Sequence, residues 1–132
     1  LQKLTGKDLN EGLTEEQKGA SVAIQRMAEE NLYWVMVYAR WVEDWEATKM
    51  EFFGSLPYGL KAVIFSMVQS SIKKSLYGHG IGRHTKDEIY EIGKKDLYAL
   101  SDILGKKLFM MGDEPSLVDA SVFGQVVCIL DF

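Results

Sequence analysis

Cysteine is almost absent from this chain: among 132 residues there is one, Cys128. A single thiol closes no internal disulfide, so the fold must rest on its core, and a reducing compartment is the expected setting. Long apolar runs are missing as well. The most apolar stretch, Ser116–Leu130, would make a helix of about 21 Å, short of a membrane span. A basic surplus is also lacking, since 15 Lys and Arg face 19 Asp and Glu for a net charge of −4. This excludes phosphate-led nucleic-acid binding as the organising function, and membrane association is not expected. No alternating strand pattern of useful length occurs, so the fold class is all-α. No signal peptide is visible at Leu1-Gln2-Lys3-Leu4. The chain starts without methionine and stops at Asp131-Phe132 directly after an apolar helix, which is expected of a piece of a longer protein.

What the sequence does contain is an apolar content of 47%, sufficient for a core at this length, punctuated by three helix starts. Residues 1–13 read as the end of one element and a connector. Thr14-Glu15-Glu16-Gln17 is a capping box with acidic residues where the helix dipole favours them. From there apolar and aromatic residues recur every three or four positions, through Ile24, Met27, Asn31, Trp34, Tyr38, Trp41 and Trp45, which predicts one long helix kinked near its end. A short helix closed by Gly54 follows. Pro57 stands at a first helical position, and the helical period resumes from Leu60 to Leu76. Gly78-His79-Gly80-Ile81-Gly82 stops it. Thr85-Lys86-Asp87-Glu88 is the second box, opening a helix to Leu104 with Gly105 as its left-handed cap.

The third box is Ser116-Leu117-Val118-Asp119, with the serine hydroxyl expected to accept from the Asp119 amide while the carboxylate returns a bond to the cap. The helix it opens is apolar nearly all round, and such a helix is expected at the buried centre of a bundle, with Cys128 as a small hydrophobe within it. Ser116 and Asp119 resemble a catalytic pair only superficially, because their spacing is that of a cap and no histidine is near in sequence.

Few residues point to chemistry. His79 and His84 flank a glycine-rich turn but lack further ligands, so two exposed loop histidines are expected and no metal. The same turn, with Lys73, Lys74, Arg83 and Lys86 around it, offers an anion cradle, against the plainer reading of a turn that needs positive φ. The set that stands out is Tyr33, Trp34, Tyr38, Arg40, Trp41 and Trp45 on the long helix. It holds too many large side chains for one buried stripe, and its residue types are those of binding hot spots. Bundle packing is the bland alternative for each. Asn31, inside the apolar stripe, is either a buried hydrogen-bonder or a polar group at a pocket mouth.

The segment Gly112-Asp113-Glu114-Pro115-Ser116-Leu117-Val118-Asp119-Ala120 resembles the capping-box segment in the C-terminal helical domain of glutathione transferases. Together with Glu29-Glu30-Asn31-Leu32-Tyr33, Arg40-Trp41, Gly80-Ile81-Gly82-Arg83-His84 and Lys95–Gly105, it resembles the failed axon connections family, relatives of the metaxins. The resemblance implies a bundle of about five helices over residues 14–132 with a central buried helix at 116–130. Residues 1–13 would be the tail of a thioredoxin-like half, which is the first expected partner, plus a linker.

In transferases the glutathione site lies mainly on that other half, while the helical half lends the wall for the second substrate. Here the wall would be Asn31, Tyr33, Trp34, Tyr38 and Arg40, with no catalytic residue in this chain. No cofactor is implied for this chain alone, and glutathione only together with the N-terminal half. A protein partner or a homodimer is the further implication, in a cytoplasmic protein or, as in metaxins, one associated with the mitochondrial outer membrane. A glutathione-dependent transferase is the alternative.

Overall fold

The computed structural model describes residues 8–53 and 58–130. Among them the chain is helical, with one isolated antiparallel bridge, Phe109 to Gly112, as the only β pairing. The all-α expectation is met. The helices are α1 (Glu15–Arg26), α2 (Tyr33–Tyr38), α3 (Trp45–Phe53), α4 (Tyr58–His79), α5 (Lys86–Leu104) and α6 (Leu117–Leu130). Two π-helical turns, Met27–Leu32 and Ala39–Glu43, join α1, α2 and the residues beyond into one unbroken helical rod. The rod ends at Asp44, whose φ of −101° and ψ of 44° leave the helical region. The predicted long helix and its late break are therefore present, and α1 and α2 with their π turns count as one of five rods. The expected roles of Gly54 and Pro57 fall outside the described residues.

The first two capping boxes close where the sequence placed them. At α1 the Thr14 hydroxyl accepts from the Gln17 amide at 3.2 Å while the Gln17 side-chain oxygen accepts from the Thr14 amide at 2.9 Å. The Gln17 side-chain nitrogen also donates to the Met111 carbonyl at 3.0 Å, so the cap doubles as a tie to the connector before α6. At α5 the Glu88 carboxylate accepts from the Thr85 amide at 2.8 Å and the Thr85 hydroxyl accepts from the Glu88 amide at 3.4 Å. The Thr85 amide, and then the Thr85 hydroxyl donating at 3.0 Å, hold the Glu88 carboxyl below its usual range. Gly105 closes α5 at φ 54°, as a left-handed cap requires.

Before α6 the geometry departs from expectation in one bond. The Ser116 hydroxyl donates to the Asp119 carboxylate at 2.7 Å, where it was expected to accept from the Asp119 amide. The same carboxylate accepts from the Ser116 amide at 2.8 Å and, through its other oxygen, from the Met110 amide at 2.7 Å. Asp119 is thus a three-bond anchor fastening the connector to the helix start.

The chain divides into two compact units, residues 8–33 with 93–130, and residues 34–92. The first has a core of Ile24, Leu32, Leu100, Met110 and Val118. The second is built on Val35, Val37, Leu76, Ile81 and Ile89. In the second unit Gly82 approaches the end of α4 so closely that a Cβ there would lie 2.8 Å from the Leu76 carbonyl carbon and the Tyr77 nitrogen. The glycine-rich turn is therefore demanded by packing as well as by Gly80, which sits at φ 116°.

One structural expectation is corrected. Helix α6 is not the least exposed helix: Phe123 is 70% exposed, Leu130 75%, and Cys128 is exposed rather than buried among apolar neighbours. A helix apolar all round needs neighbours all round. Helix α1 and the first π turn cover only the side bearing Val118, with Val122 and Ile129 packed against the same core. Among the described residues the opposite side, with Ala120, Phe123 and Leu130, is open. The apolar pattern reports what the helix can bury, and the covering surface is a separate matter.

Candidate functional site

The residues singled out on the long helix fall at its irregular places. Asn31 lies in the first π turn, Arg40 and Trp41 in the second, and Tyr33, Trp34 and Tyr38 in the short α-helix between. A π turn inserts one residue per turn and rotates the following side chains, which is why such turns recur at functional sites. Here they divide the set between the two units: Asn31 and Tyr33 belong to the first, and the others to the second.

In the first unit Asn31 is a half-buried hydrogen-bonder. Its side-chain nitrogen donates to the carboxylate of Asp96 on α5 at 2.7 Å. Asp96 is 9% exposed, and burial raises its carboxyl above the ordinary aspartate value, with the Asn31 bond pulling the other way. Two residues earlier in the same π turn, Glu29 accepts from Ser121 on α6 at 2.7 Å and from Gln25 at 2.9 Å, bonds that lower its carboxyl. Polar groups in this unit thus fasten the first π turn to α5 and α6. Of the two readings open for Asn31, the structural hydrogen-bonder is the one its geometry fits. Tyr33 is 38% exposed.

In the second unit the aromatic residues interlock. Trp34 stacks on His79 with ring centroids 4.9 Å apart, Tyr38 meets Tyr90 edge-on at 6.4 Å, and Trp41 lies 6.1 Å from Trp45. Trp34, Tyr38 and Trp41 all pack against the core of this unit. The Tyr38 hydroxyl donates to Glu43 at 3.2 Å, and Glu43 is ion-paired with Lys86 at the start of α5. Burial, then the Glu43 bond, raises the Tyr38 phenol above its usual value, so it stays protonated. The Lys86 bond holds the Glu43 carboxyl low, and Glu43 in turn raises Lys86. Arg40 lends its carbonyl oxygen to the hydroxyl of the fully buried Thr48 at 2.7 Å, which ties the second π turn to α3.

Sequence reasoning missed Asp96, Glu43 and Thr48 as partners. Only the polar Asn31 in an apolar stripe signalled that a partner must exist. The cationic quartet proposed around the glycine turn is reduced in the structure. The Arg83 guanidinium donates to the Tyr77 carbonyl at 3.0 Å and lies over the Tyr77 ring, while Lys86 is held by Glu43. His84 faces Glu88 at 3.7 Å. Among the described residues there is no group of three or more His, Cys, Asp or Glu arranged to hold a metal.

The family described as the glutathione S-transferase C-terminal domain matches residues 93–132, and the glutathione S-transferase N-terminal domain matches residues 1–46. Failed axon connections of Drosophila melanogaster is 34% identical over 128 residues, covering 89% of this chain and 31% of that protein. The chain is therefore similar to glutathione S-transferase-like proteins, failed axon connections and metaxin-2 among them. Metaxin-2 of Homo sapiens is 28% identical over 131 residues, covering 97% of this chain and 50% of that protein. A Rhodococcus protein named isoprene-epoxide–glutathione S-transferase is 32% identical over 131 residues, covering 96% of this chain and 55% of that protein. The chain therefore spans between 31% and 55% of the length of these relatives. No solved structure matches it.

Glutathione carries carboxylates, an ammonium and a thiol, so a site for it needs cations and hydroxyl donors turned toward a common space. In the second unit the hydroxyl donor Tyr38 and the neighbouring cation Lys86 already converge on Glu43, and Arg83 is turned to Tyr77. Among the described residues no helix is long and apolar enough to cross a membrane.

Proposed function

We propose that this chain is the helical half of a failed-axon-connections or metaxin-like protein of the glutathione transferase fold, acting as a non-catalytic or weakly catalytic protein-interaction module. Residues 14–132 constitute that half, and residues 1–13 are the tail and linker of a thioredoxin-like half. The observation that carries the reading is the state of Tyr38. A transferase wall would turn such a hydroxyl toward substrate, and here its proton is already donated to Glu43. Trp34 and Trp41 are likewise engaged, on His79 and Trp45, so the row stiffens its unit and leaves its outer edges for a protein partner or a second copy. In this reading the protein is cytoplasmic, and association with the mitochondrial outer membrane is the alternative, supported by the similarity to metaxin-2.

The second reading, a glutathione-dependent transferase, is favoured by the relative whose name is isoprene-epoxide–glutathione S-transferase. In that case Asn31, Tyr33, Trp34, Tyr38 and Arg40 would flank an apolar second substrate, and glutathione would sit on the N-terminal half. The two readings separate on the thermal midpoint of the full-length protein with and without millimolar glutathione, because a ligand that binds the native state raises the midpoint by mass action. The interaction reading expects no shift. A rise of several degrees would replace it with the transferase.

A further inference from the structure

The longest acid-free stretch of the chain lies between Glu51 and Asp87. Residues 52–86 hold five of the chain's 15 Lys and Arg and none of its 19 Asp and Glu. In a protein of net charge −4 this is a pronounced segregation of charge. Within it, α4 turns one side inward through Phe65 and Leu76. Its other side carries Ser66, Gln69, Ser70, Lys73, Lys74 and Tyr77, spaced by three and four residues so that they form one ridge about 18 Å long. These residues border a shallow, open recess of about 560 Å³. Among the described residues no carboxylate pairs with Lys73 or Lys74, whereas Lys86 and Arg83 are engaged elsewhere. Exposed on the same helix are Met67, 68% exposed, and the Tyr77 ring, 63% exposed.

We propose that this ridge of α4 is a docking surface for an acidic, extended segment of a partner protein. Two neighbouring ammonium groups supply the charge complement to carboxylates. Hydroxyl and amide groups at Ser66, Gln69 and Ser70 supply donors for carboxylate and backbone oxygens along the ridge, and Tyr77 supplies an amphipathic contact at one end. A membrane fits the ridge less well. Hydrogen-bonding side chains at Ser66, Gln69 and Ser70 have no use for lipid tails, and the exposed residues beside the two lysines offer little apolar surface to insert. The proposal does not depend on whether the protein binds glutathione, because the aromatic row contributes nothing to the ridge.

The test uses the full chain and a fluorescein-labelled peptide of alternating Glu and Gly, compared by anisotropy at low salt with its Gln and Gly counterpart. Vesicles of phosphatidylcholine containing phosphatidylserine form a separate arm. The Glu peptide should bind at least about tenfold more tightly than the Gln peptide, and K73Q/K74Q should remove about tenfold of that affinity, the scale of two surface charge contacts. K73R/K74R should retain it, and K95Q/K106Q, exposed lysines on other elements, should leave it unchanged. Backbone amide shifts on titration should map to residues 66–78. Equal affinity for the two peptides, equal loss in the K95Q/K106Q control, shifts confined to other helices, or binding to vesicles in place of the peptide would each overturn the proposal. All four lysines are exposed, so the variants report binding without a change of fold.

Discussion

The two π-helical turns of the long rod are held by opposite means. The first, Met27–Leu32, places Ala28 and Leu32 at 0% and 1% exposure and sends Asn31 to a buried carboxylate 65 residues away. The second, Ala39–Glu43, contains no buried residue and is secured by the Thr48 hydroxyl on Arg40 and by the Glu43–Lys86 pair at the surface. Both insert the same extra residue into the same kind of helix. The surroundings decide whether that residue becomes part of a core or part of a surface, and this difference predicts where mutations are felt.

The largest effect is expected at Leu32→Ala in the first turn, a loss of about 3 to 4 kcal/mol from its lost burial and the cavity left in the first unit's core. Urea unfolding measures it. Second is Asp119→Ala, which leaves the amides of Met110 and Ser116 without their acceptor among buried neighbours and should cost about 2 to 3 kcal/mol. Ser116→Ala removes only the hydroxyl's bond to the Asp119 carboxylate and should cost about 1 kcal/mol. Asn31→Ala strips the donor from a buried carboxylate and should cost about 2 kcal/mol in the same assay. A negligible cost there would mean that the first turn is held no differently from the second.

A pH series sharpens the point. Burial raises the Asp96 carboxyl in the folded state, so between the ordinary aspartate value and the raised one the native chain holds more protons than the unfolded chain. Stability from this group therefore falls as pH rises through that window. Asp96→Asn keeps an acceptor for Asn31 and lacks this loss. Its stability relative to the parent should rise as pH is taken from below the aspartate range to neutral. The smallest effect belongs to the second turn. Glu43→Gln or Lys86→Gln should change unfolding only slightly, and the change should shrink further as salt is added.

Much of the fold was legible in the sequence because it is written in local chemistry. Thr14, Thr85 and Ser116 each precede a helix start by one residue, and Gly105 has the positive φ its place after α5 required. What was illegible depended on partners distant along the chain. Nothing around Asn31 names Asp96, and nothing around Asp119 indicates that it will also take the Met110 amide. The π turns share the composition and period of the α-helices beside them, so the pattern shows the rod and hides its two insertions. On α4 the apolar Met67 is 68% exposed, whereas Phe65 and Leu76 are buried, so apolar character alone does not mark the inward positions. The apolar character of α6 was read correctly, whereas its burial was not, since one sequence states what can be covered and another surface has to do the covering. Of the candidate site, the residue types were visible, but their division between two units was not.

The central claim is that Tyr38 and the aromatic row around it fasten a unit together and do not serve a reaction. The most direct measurement is the conjugation of glutathione to an epoxide by the full-length protein, compared with its Tyr38→Phe variant. The expected result is little or no rate above the uncatalysed reaction, the same for both proteins, with Tyr38→Phe slightly less stable from the lost bond to Glu43. Turnover in the parent that falls by tenfold or more in Tyr38→Phe, at unchanged stability, would contradict it.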